Sequence, residues 1–160
     1  MLTQERLKEL LSYDPETGVF RWLTHSGRAT SGDKAGSLSK GYLYISVDKQ
    51  KYLAHRLAWL YINGSWPTKD IDHRDTDSSN NRFFNLREAT KPENLRNVGL
   101  RSHNASGFKG VHFNKAAGKF QAGARLNGKY NYLGCFTTAE LASEAYQAFA
   151  KANHGDFYNA

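Results

Sequence analysis

The feature that most constrains the fold is a strictly alternating segment near the end of the chain. Its apolar positions are Phe120, Ala122, Ala124 and Leu126, and between them stand Lys119, Gln121, Gly123 and Arg125. Because side chains along a strand point alternately to opposite faces, this pattern predicts a strand with one apolar face and one polar face. Gly118 precedes the segment and Asn127-Gly128 follows it, a strong signal for a tight β-hairpin. The segment should therefore lie in an antiparallel sheet that is covered on one face only.

The flanking sequence completes this unit. Residues 109–114 and 130–136 are predicted to be the neighbouring strands. Thr137-Thr138-Ala139-Glu140 has the pattern of a capping box, and Leu141, Ala145 and Phe149 then recur at four-residue spacing. We expect this helix to cover the apolar face and to leave the basic face open. Residues 106–160 are thus predicted to form a three-stranded antiparallel sheet packed on one C-terminal helix.

The two preceding segments are predicted to be small and mixed. In residues 1–52, Leu2, Leu7, Leu10 and Leu11 indicate a short helix, residues 19–23 and 42–47 indicate strands, and residues 24–40 indicate a loop. Residues 51–53 should return from the second strand as a hairpin. No chemically reactive residues converge in this β-rich accessory segment.

In residues 53–105, the pattern predicts a helix over 55–63 that ends at Gly64. Strands are expected at 70–73 and 86–89, with a polar loop at 74–82 between them. Thr90-Lys91-Pro92-Glu93 predicts the start of a second helix. The fold class predicted for the chain is α+β, in three segments: 1–52, 53–105 and 106–160.

Charge and cysteine content limit the partners. The net charge is +7 over 160 residues, and each of the three segments is basic. Such a charge distribution favours nucleic acid over a membrane surface. Cys135 is the one cysteine, which excludes an intrachain disulfide and a thiolate zinc site, so no structural zinc is expected. No stretch reaches the roughly 20 apolar residues of a membrane span, and the N-terminus lacks a signal-peptide pattern. We expect a cytoplasmic protein without a membrane partner.

The middle segment carries the candidate chemistry. Asp72 and Asn94 offer a carboxylate and an amide oxygen, which are ligands for a hard cation such as Mg²⁺, with Mn²⁺ as the alternative. His73 can accept a proton from water near neutral pH, and Asn85 can orient the loop and the imidazole. Taken singly, an Asp-His pair often belongs to a turn, and a single asparagine is often a helix-capping or loop residue.

Three nearby residues have simpler interpretations. His55 opens a helix and is interpreted as a packing or phosphate-contacting residue. Asp75 and Asp77 are spare candidate ligands, but solvated loop carboxylates are the favoured interpretation.

These residues carry a family resemblance. The segment 53–98 contains Ala-His-Arg-Leu-Ala-Trp, Asp-His, Asn-Asn-Arg-Phe-Phe-Asn-Leu-Arg and Glu-Asn-Leu-Arg-Asn. It resembles the HNH endonucleases of phages and homing elements, in the variant whose third motif position is asparagine. The resemblance implies a ββα-metal fold in which Asp72 and Asn94 bind one divalent metal, His73 activates water and Asn85 is the middle motif residue. It also implies cleavage of DNA to a 5′-phosphate and a 3′-hydroxyl.

Residues 106–158 resemble the plant ethylene-response-factor (apetala-type) DNA-binding domain. The resemblance rests on Gly107-Phe108-Lys109-Gly110-Val111, Gly118-Lys119-Phe120, Tyr132-Leu133-Gly134-Cys135-Phe136 and Ala145-Tyr146. That family places its sheet in the DNA major groove. The positions expected to contact DNA here are Lys109, His112, Asn114, Lys119, Gln121, Arg125 and Tyr132.

Three positions depart from that family. Ala116 replaces its usual tryptophan, Gly123 its glutamate and Tyr130 a frequent arginine. Fewer arginines weaken the readout of guanine, so phosphate anchoring with weaker base readout is expected.

The leading hypothesis is a metal-dependent DNA endonuclease, a monomer or weak dimer that uses no small-molecule cofactor. One alternative is a non-catalytic, sequence-specific DNA-binding regulator built on an HNH scaffold. Another is an RNA-binding accessory protein.

Overall fold

The computed structural model describes residues 1–100 and 104–158. The chain divides into two compact units, Met1–Thr90 and Lys91–Ala160. Both units combine helices with small antiparallel sheets, so the predicted α+β class is confirmed. Residues 101–103 and 159–160, which fall within the predicted second and third segments, lie outside the described part. The functional division into accessory, nuclease and DNA-binding segments stays a prediction.

The unit Met1–Thr90 contains two helices and seven short strands among its described elements. The helices are α1 (Gln4–Leu10) and α2 (Ala54–Asn63). The strands are β1 (Leu11–Asp14), β2 (Val19–Trp22), β3 (Ser37–Ser39), β4 (Tyr42–Val47), β5 (Gln50–Leu53), β6 (Asp70–His73) and β7 (Leu86–Ala89). They pair as β1-β2, β3-β4-β5 and β6-β7, and a 3₁₀ turn over Phe83–Asn85 leads into β7.

One apolar core holds this unit together. Leu7, Phe20, Ile45 and Leu57 are almost completely buried in it, so residues from both halves of the unit share the same core. The helix α2 ends as predicted, since Gly64 has a φ of 75° and its N–H donates to the carbonyl of Leu60. This core supports the strands β6 and β7.

The hairpin of β6 and β7 carries the candidate site. Its antiparallel register places Asp72 opposite Arg87 and His73 opposite Leu86. In such a pair, directly opposite residues project from the same face. The charged partners Asp72 and Arg87 therefore meet across the hairpin.

The unit Lys91–Ala160 confirms the predicted sheet packed on a helix. Its elements are α3 (Lys91–Asn97), β8 (Val111–Asn114), β9 (Lys119–Leu126), β10 (Lys129–Phe136) and α4 (Ala139–His154), followed by a 3₁₀ turn over Gly155–Phe157. The strand order is β10-β9-β8. Val111, Ala122, Ala139 and Ala142 form the core between sheet and helix. The other face of the sheet, which bears Gln121 and Arg125, is not covered by α4.

Three local expectations are corrected. The first helix ends at Leu10, because Leu11 pairs with Trp22 and begins β1. Residues 37–39, expected in a loop, form β3 against β4. The first C-terminal strand begins at Val111 rather than residue 109, since Gly110 has a φ of 67°, which breaks the extended backbone. None of the helices among the described residues has the length and hydropathy needed to cross a membrane.

Candidate active site

The carboxylate of Asp72 is buried and paired with a guanidinium. Arg87 donates from Nε at 2.8 Å and from Nη2 at 2.7 Å, and both bonds end on Oδ2 of Asp72. The side chains are only 8% and 5% exposed. A buried ion pair of this kind is costly to break, because removing one partner leaves the other charge in a poorly solvated place. Arg87 is a site residue that no motif in the sequence indicated.

His73 ends β6 and is also buried. Burial lowers the pKa of its imidazole, while Asn81 and the carboxylates of Asp75, Asp72 and Asp77 act in the opposite direction. The net direction is downward, so the neutral ring is favoured. A neutral imidazole is the form that can accept a proton.

Two further rings surround His73. The ring of His55, in the first turn of α2, lies 5.0 Å from that of His73 between centroids, with an interplanar angle of 88°. The ring of Tyr42 lies 5.7 Å from His55 and 6.4 Å from His73. Three elements, β4, α2 and β6, therefore bring a small ring cluster together at the end of the hairpin.

His55 is the unusual member of this cluster. Its side chain is buried, and its Nδ1 has no hydrogen-bond partner among the residues that the structure describes. Burial, and then the charges of His73 and Arg56, lower its pKa to about 3. The packing interpretation of His55 agrees with this position. Its contact with His73, however, had no sequence signal, because the two lie 18 positions apart on a helix and a strand.

The side chain of Asn85 forms hydrogen bonds with the loop that follows His73. Its Nδ2 donates to Oδ1 of Asp75 and to the carbonyl of Asn80, both at 2.9 Å, and its Oδ1 accepts from the N–H of Asp75 at 3.1 Å. Its side chain is buried, so these bonds are shielded from water. The role expected of Asn85 at the site stays a prediction.

Asp75 and Asp77 hold the same loop together. Asp75 accepts from Asn80 Nδ2 at 2.6 Å and from the N–H of Asp77 at 2.9 Å. Asp77 accepts from the N–H and hydroxyl of Ser79 at 2.9 and 2.7 Å. The two carboxylates are therefore engaged in loop structure.

Asn94 belongs to α3, in the unit Lys91–Ala160, and it occupies the first turns of that helix as expected. That Asn94 and Asp72 share a metal ion stays a prediction. Among the residues that the structure describes, no group of three or more His, Cys, Asp or Glu side chains is placed to hold a metal ion. A site built from one carboxylate, one amide oxygen and water would not need such a group.

The C-terminal sheet gathers most of the residues expected to contact DNA. His112 and Asn114 lie on β8, Lys119, Gln121 and Arg125 on β9, and Tyr132 on β10. Lys109 precedes β8 and is half-buried, which lowers its pKa, and its Nζ donates to the carbonyl of Arg96 at 3.4 Å. Whether any of these residues binds DNA stays a prediction.

A comparison with protein families bears on the hairpin. Residues 52–96, from β5 into α3, match the model of the HNH endonuclease family. This match supports an HNH nuclease domain in that part of the chain and a nuclease acting on DNA. No curated protein and no solved structure gives a significant match.

Proposed function

We propose that this protein is a divalent-metal-dependent HNH endonuclease that hydrolyses phosphodiester bonds in DNA. The observation that carries the proposal is that two adjacent residues at the end of a hairpin inside the matched segment are both buried. They are Asp72, with its carboxylate, and His73, with an imidazole whose pKa burial lowers. Adjacent residues of this kind can hold a cation and accept a proton from water.

His73 is the proposed general base. It accepts a proton from a water molecule, the oxygen of that water attacks phosphorus, and the bond from phosphorus to the 3′ oxygen breaks. The 3′ oxygen takes up a proton from solvent as it leaves. The products carry a 5′-phosphate and a 3′-hydroxyl. The ring contacts with His55 and Tyr42 hold the imidazole in place, and Asn85 keeps the following loop beside it.

Asp72 and Asn94 are the proposed metal ligands. Their oxygens fit a hard cation such as Mg²⁺ or Mn²⁺, which keeps several waters when few protein ligands are present. The proposal assigns a carboxylate oxygen of Asp72 to the cation, in addition to the bonds that Oδ2 accepts from Arg87. When bound, the cation supplies charge stabilisation to the phosphate and the leaving oxygen.

Plasmid cleavage tests the proposal. Asp72→Ala, His73→Ala and Asn94→Ala should each abolish cutting of supercoiled DNA with Mg²⁺ or Mn²⁺, and EDTA should abolish cutting by the unmodified protein. Matched controls are Asp70→Ala, an exposed carboxylate on the same strand, and His25→Ala, an exposed histidine. Wild-type cutting by His73→Ala would show that the base is assigned wrongly.

We also propose that the unit Lys91–Ala160 binds duplex DNA through the open face of its sheet. Residues 111–136 contain four Lys or Arg and no Asp or Glu, so this sheet carries no opposing charge. Arg125→Ala should weaken binding and flatten the salt dependence of the affinity by about one unit of slope. Lys151→Ala, an exposed lysine on α4, is the control and should change neither quantity. An unchanged slope for Arg125→Ala would place that residue off the interface.

One observation favours a second candidate, a DNA-binding regulator on an HNH scaffold. The close ion pair with Arg87 already supplies a positive charge to the carboxylate of Asp72 without a metal. Sequence-specific retention of DNA, with no cleavage at any Mg²⁺ or Mn²⁺ concentration, would support the regulator. Ends mapped by sequencing at discrete positions would support the nuclease.

A further inference from the structure

A chain of polar side chains crosses the open face of the C-terminal sheet. Asn114 on β8 donates from Nδ2 to Oε1 of Gln121 on β9, at 3.2 Å. Gln121 then donates from Nε2 to the hydroxyl of Tyr130 on β10, at 3.1 Å. One side chain from each of the three strands thus joins a single network, with Gln121 at its centre.

The backbone fixes the direction of this network. Oδ1 of Asn114 accepts from the N–H groups of Ala116 and Ala117, at 3.1 and 3.2 Å, in the turn between β8 and β9. Flipping the Asn114 amide would replace these bonds with contacts between donors, so its Nδ2 must face Gln121. Gln121 must in turn present Oε1 to Asn114 and Nε2 to Tyr130. The orientation of the Gln121 amide is therefore set before any ligand arrives.

Gly123 makes room for the third member. A Cβ at this position would lie 2.0 Å from the hydroxyl oxygen of Tyr130 and 2.4 Å from its Cζ. Glycine weakens the interior of a strand, and one reason to find it there is the close approach of another group. Here the phenol ring lies over Gly123 and reaches Gln121, an arrangement that any larger residue would block.

The network leaves a defined set of groups for a ligand. Each bond uses one of the two N–H groups or one of the two oxygen lone pairs of the Gln121 amide. No other residue described by the structure bonds to this amide, so one donor and one acceptor remain for a partner. Because the Tyr130 oxygen accepts from Gln121, the hydroxyl proton of Tyr130 points elsewhere. The residue is about half exposed, at 52%.

A donor beside an acceptor is the complement of one base edge in the DNA major groove. Adenine presents the N7 acceptor and the N6 amino donor, and a glutamine amide can bind both. Guanine presents two acceptors, N7 and O6, so one of them would face Oε1 of Gln121. The pre-set amide should favour adenine and disfavour guanine.

We propose that Gln121, held by Asn114 and Tyr130, is a specificity-determining residue through which this sheet selects an A·T base pair. The inference rests on the proposed binding of duplex DNA by the open face of the sheet. The resemblance to the plant domain would instead imply that arginine reads guanine. In this chain a network that depends on Gly123 and Tyr130 takes the place of that arginine readout.

A selection experiment on the full chain tests the inference. The protein would carry His73→Ala to prevent cutting, and it would be used to enrich bound duplexes from a random library. We expect one position to be enriched in adenine. Replacing that A·T pair with G·C should weaken binding roughly ten- to hundredfold, as expected for a bidentate contact.

Four variants separate the network from general binding. Gln121→Ala should remove the preference while retaining most of the affinity, and Gln121→Arg should move the preference from adenine to guanine. Tyr130→Phe, which removes only a hydroxyl, and Gly123→Ala, which displaces the ring, should each reduce the preference severalfold. Thermal melts of each variant check the fold, and Tyr130→Phe is the mildest change.

The outcomes distinguish the inference from the proposed function. If the protein retains no duplex at all, the DNA-binding proposal fails and the inference fails with it. If duplexes are retained without enrichment of adenine, or the preference survives in Gln121→Ala, only the inference is overturned.

Discussion

Lowering the pH from 7 to 5 should weaken the unit Met1–Thr90 by about 2 kcal/mol through His55 alone. The imidazole of His55 is buried, no residue in the described part of the chain bonds to its Nδ1, and burial lowers its pKa from 6.5 to about 3. The folded state thus keeps His55 neutral at a pH where an unfolded chain protonates it. Because the unfolded state binds more protons, its free energy falls relative to the folded state.

The size of the effect follows from the two pKa values. Above pH 6.5 neither state is protonated at His55, so the full stability is present. Between pH 6.5 and about 3, stability is lost at about 1.36 kcal/mol for each pH unit. At pH 5 the loss is therefore about 2 kcal/mol, a large fraction of the net stability of a small domain.

Urea unfolding followed by tryptophan fluorescence measures this unit selectively. Trp22, Trp59 and Trp66 are the only tryptophans of the chain, and all lie in Met1–Thr90. His73 also has a lowered pKa and contributes in the same direction, so the wild-type curve alone does not isolate His55. The difference between wild type and a variant does isolate it.

His55→Gln and His55→Phe should each flatten the dependence of stability on pH by about 2 kcal/mol between pH 7 and 5. The change is a difference across pH, so a variant with lower stability at every pH still reports it. His25→Ala, at an exposed position, is the control and should retain the wild-type slope. If both His55 variants kept the wild-type slope, His55 would not be held neutral in the folded protein.

Other perturbations act on the same site. Arg87→Ala should destabilise the fold by about 3–5 kcal/mol, since it removes the guanidinium that pairs with the buried carboxylate of Asp72, and an unchanged urea midpoint would contradict this. Asn85→Ala removes three side-chain hydrogen bonds to the loop before it, so limited proteolysis should cut that loop faster; equal digestion rates would argue that the bonds do not hold it. Gly18 has a φ of 72°, and a Cβ at this position would lie 2.5 Å from the backbone N of Arg82. Gly18→Ala should therefore lower the melting temperature, and an unaltered melting temperature would refute the close approach.

The parts of the fold that could be predicted are those with local signals. The strand Lys119–Leu126 has strict alternation and an Asn-Gly turn, and both act over a few residues. The helix α2 and its end at Gly64 are equally local, because a left-handed residue is easiest for glycine. These elements, and the sheet packed on α4, were predicted correctly for that reason.

The parts that sequence reasoning missed depend on distant partners. Leu11 has a helical pattern with Leu7, yet its pairing with Trp22 draws it into β1. The contact of His55 with His73 and the bond pattern of Gln121 require the packing of separate elements. Arg87 could have been identified from the sequence, because a hairpin that pairs residues 70–73 with residues 86–89 places Arg87 opposite Asp72.

The N-terminal segment, predicted to be an accessory without converging chemistry, has a definite structural role at the site. Gly41 accepts from the hydroxyl of Ser78 at 2.7 Å, and Tyr13 donates to the carbonyl of Asn81 at 2.7 Å. These contacts fix the loop after His73 from outside the hairpin, while Tyr42 packs on the imidazole itself. Residues that precede the segment matched to the nuclease family therefore contribute to the support of His73 and of the loop that follows it.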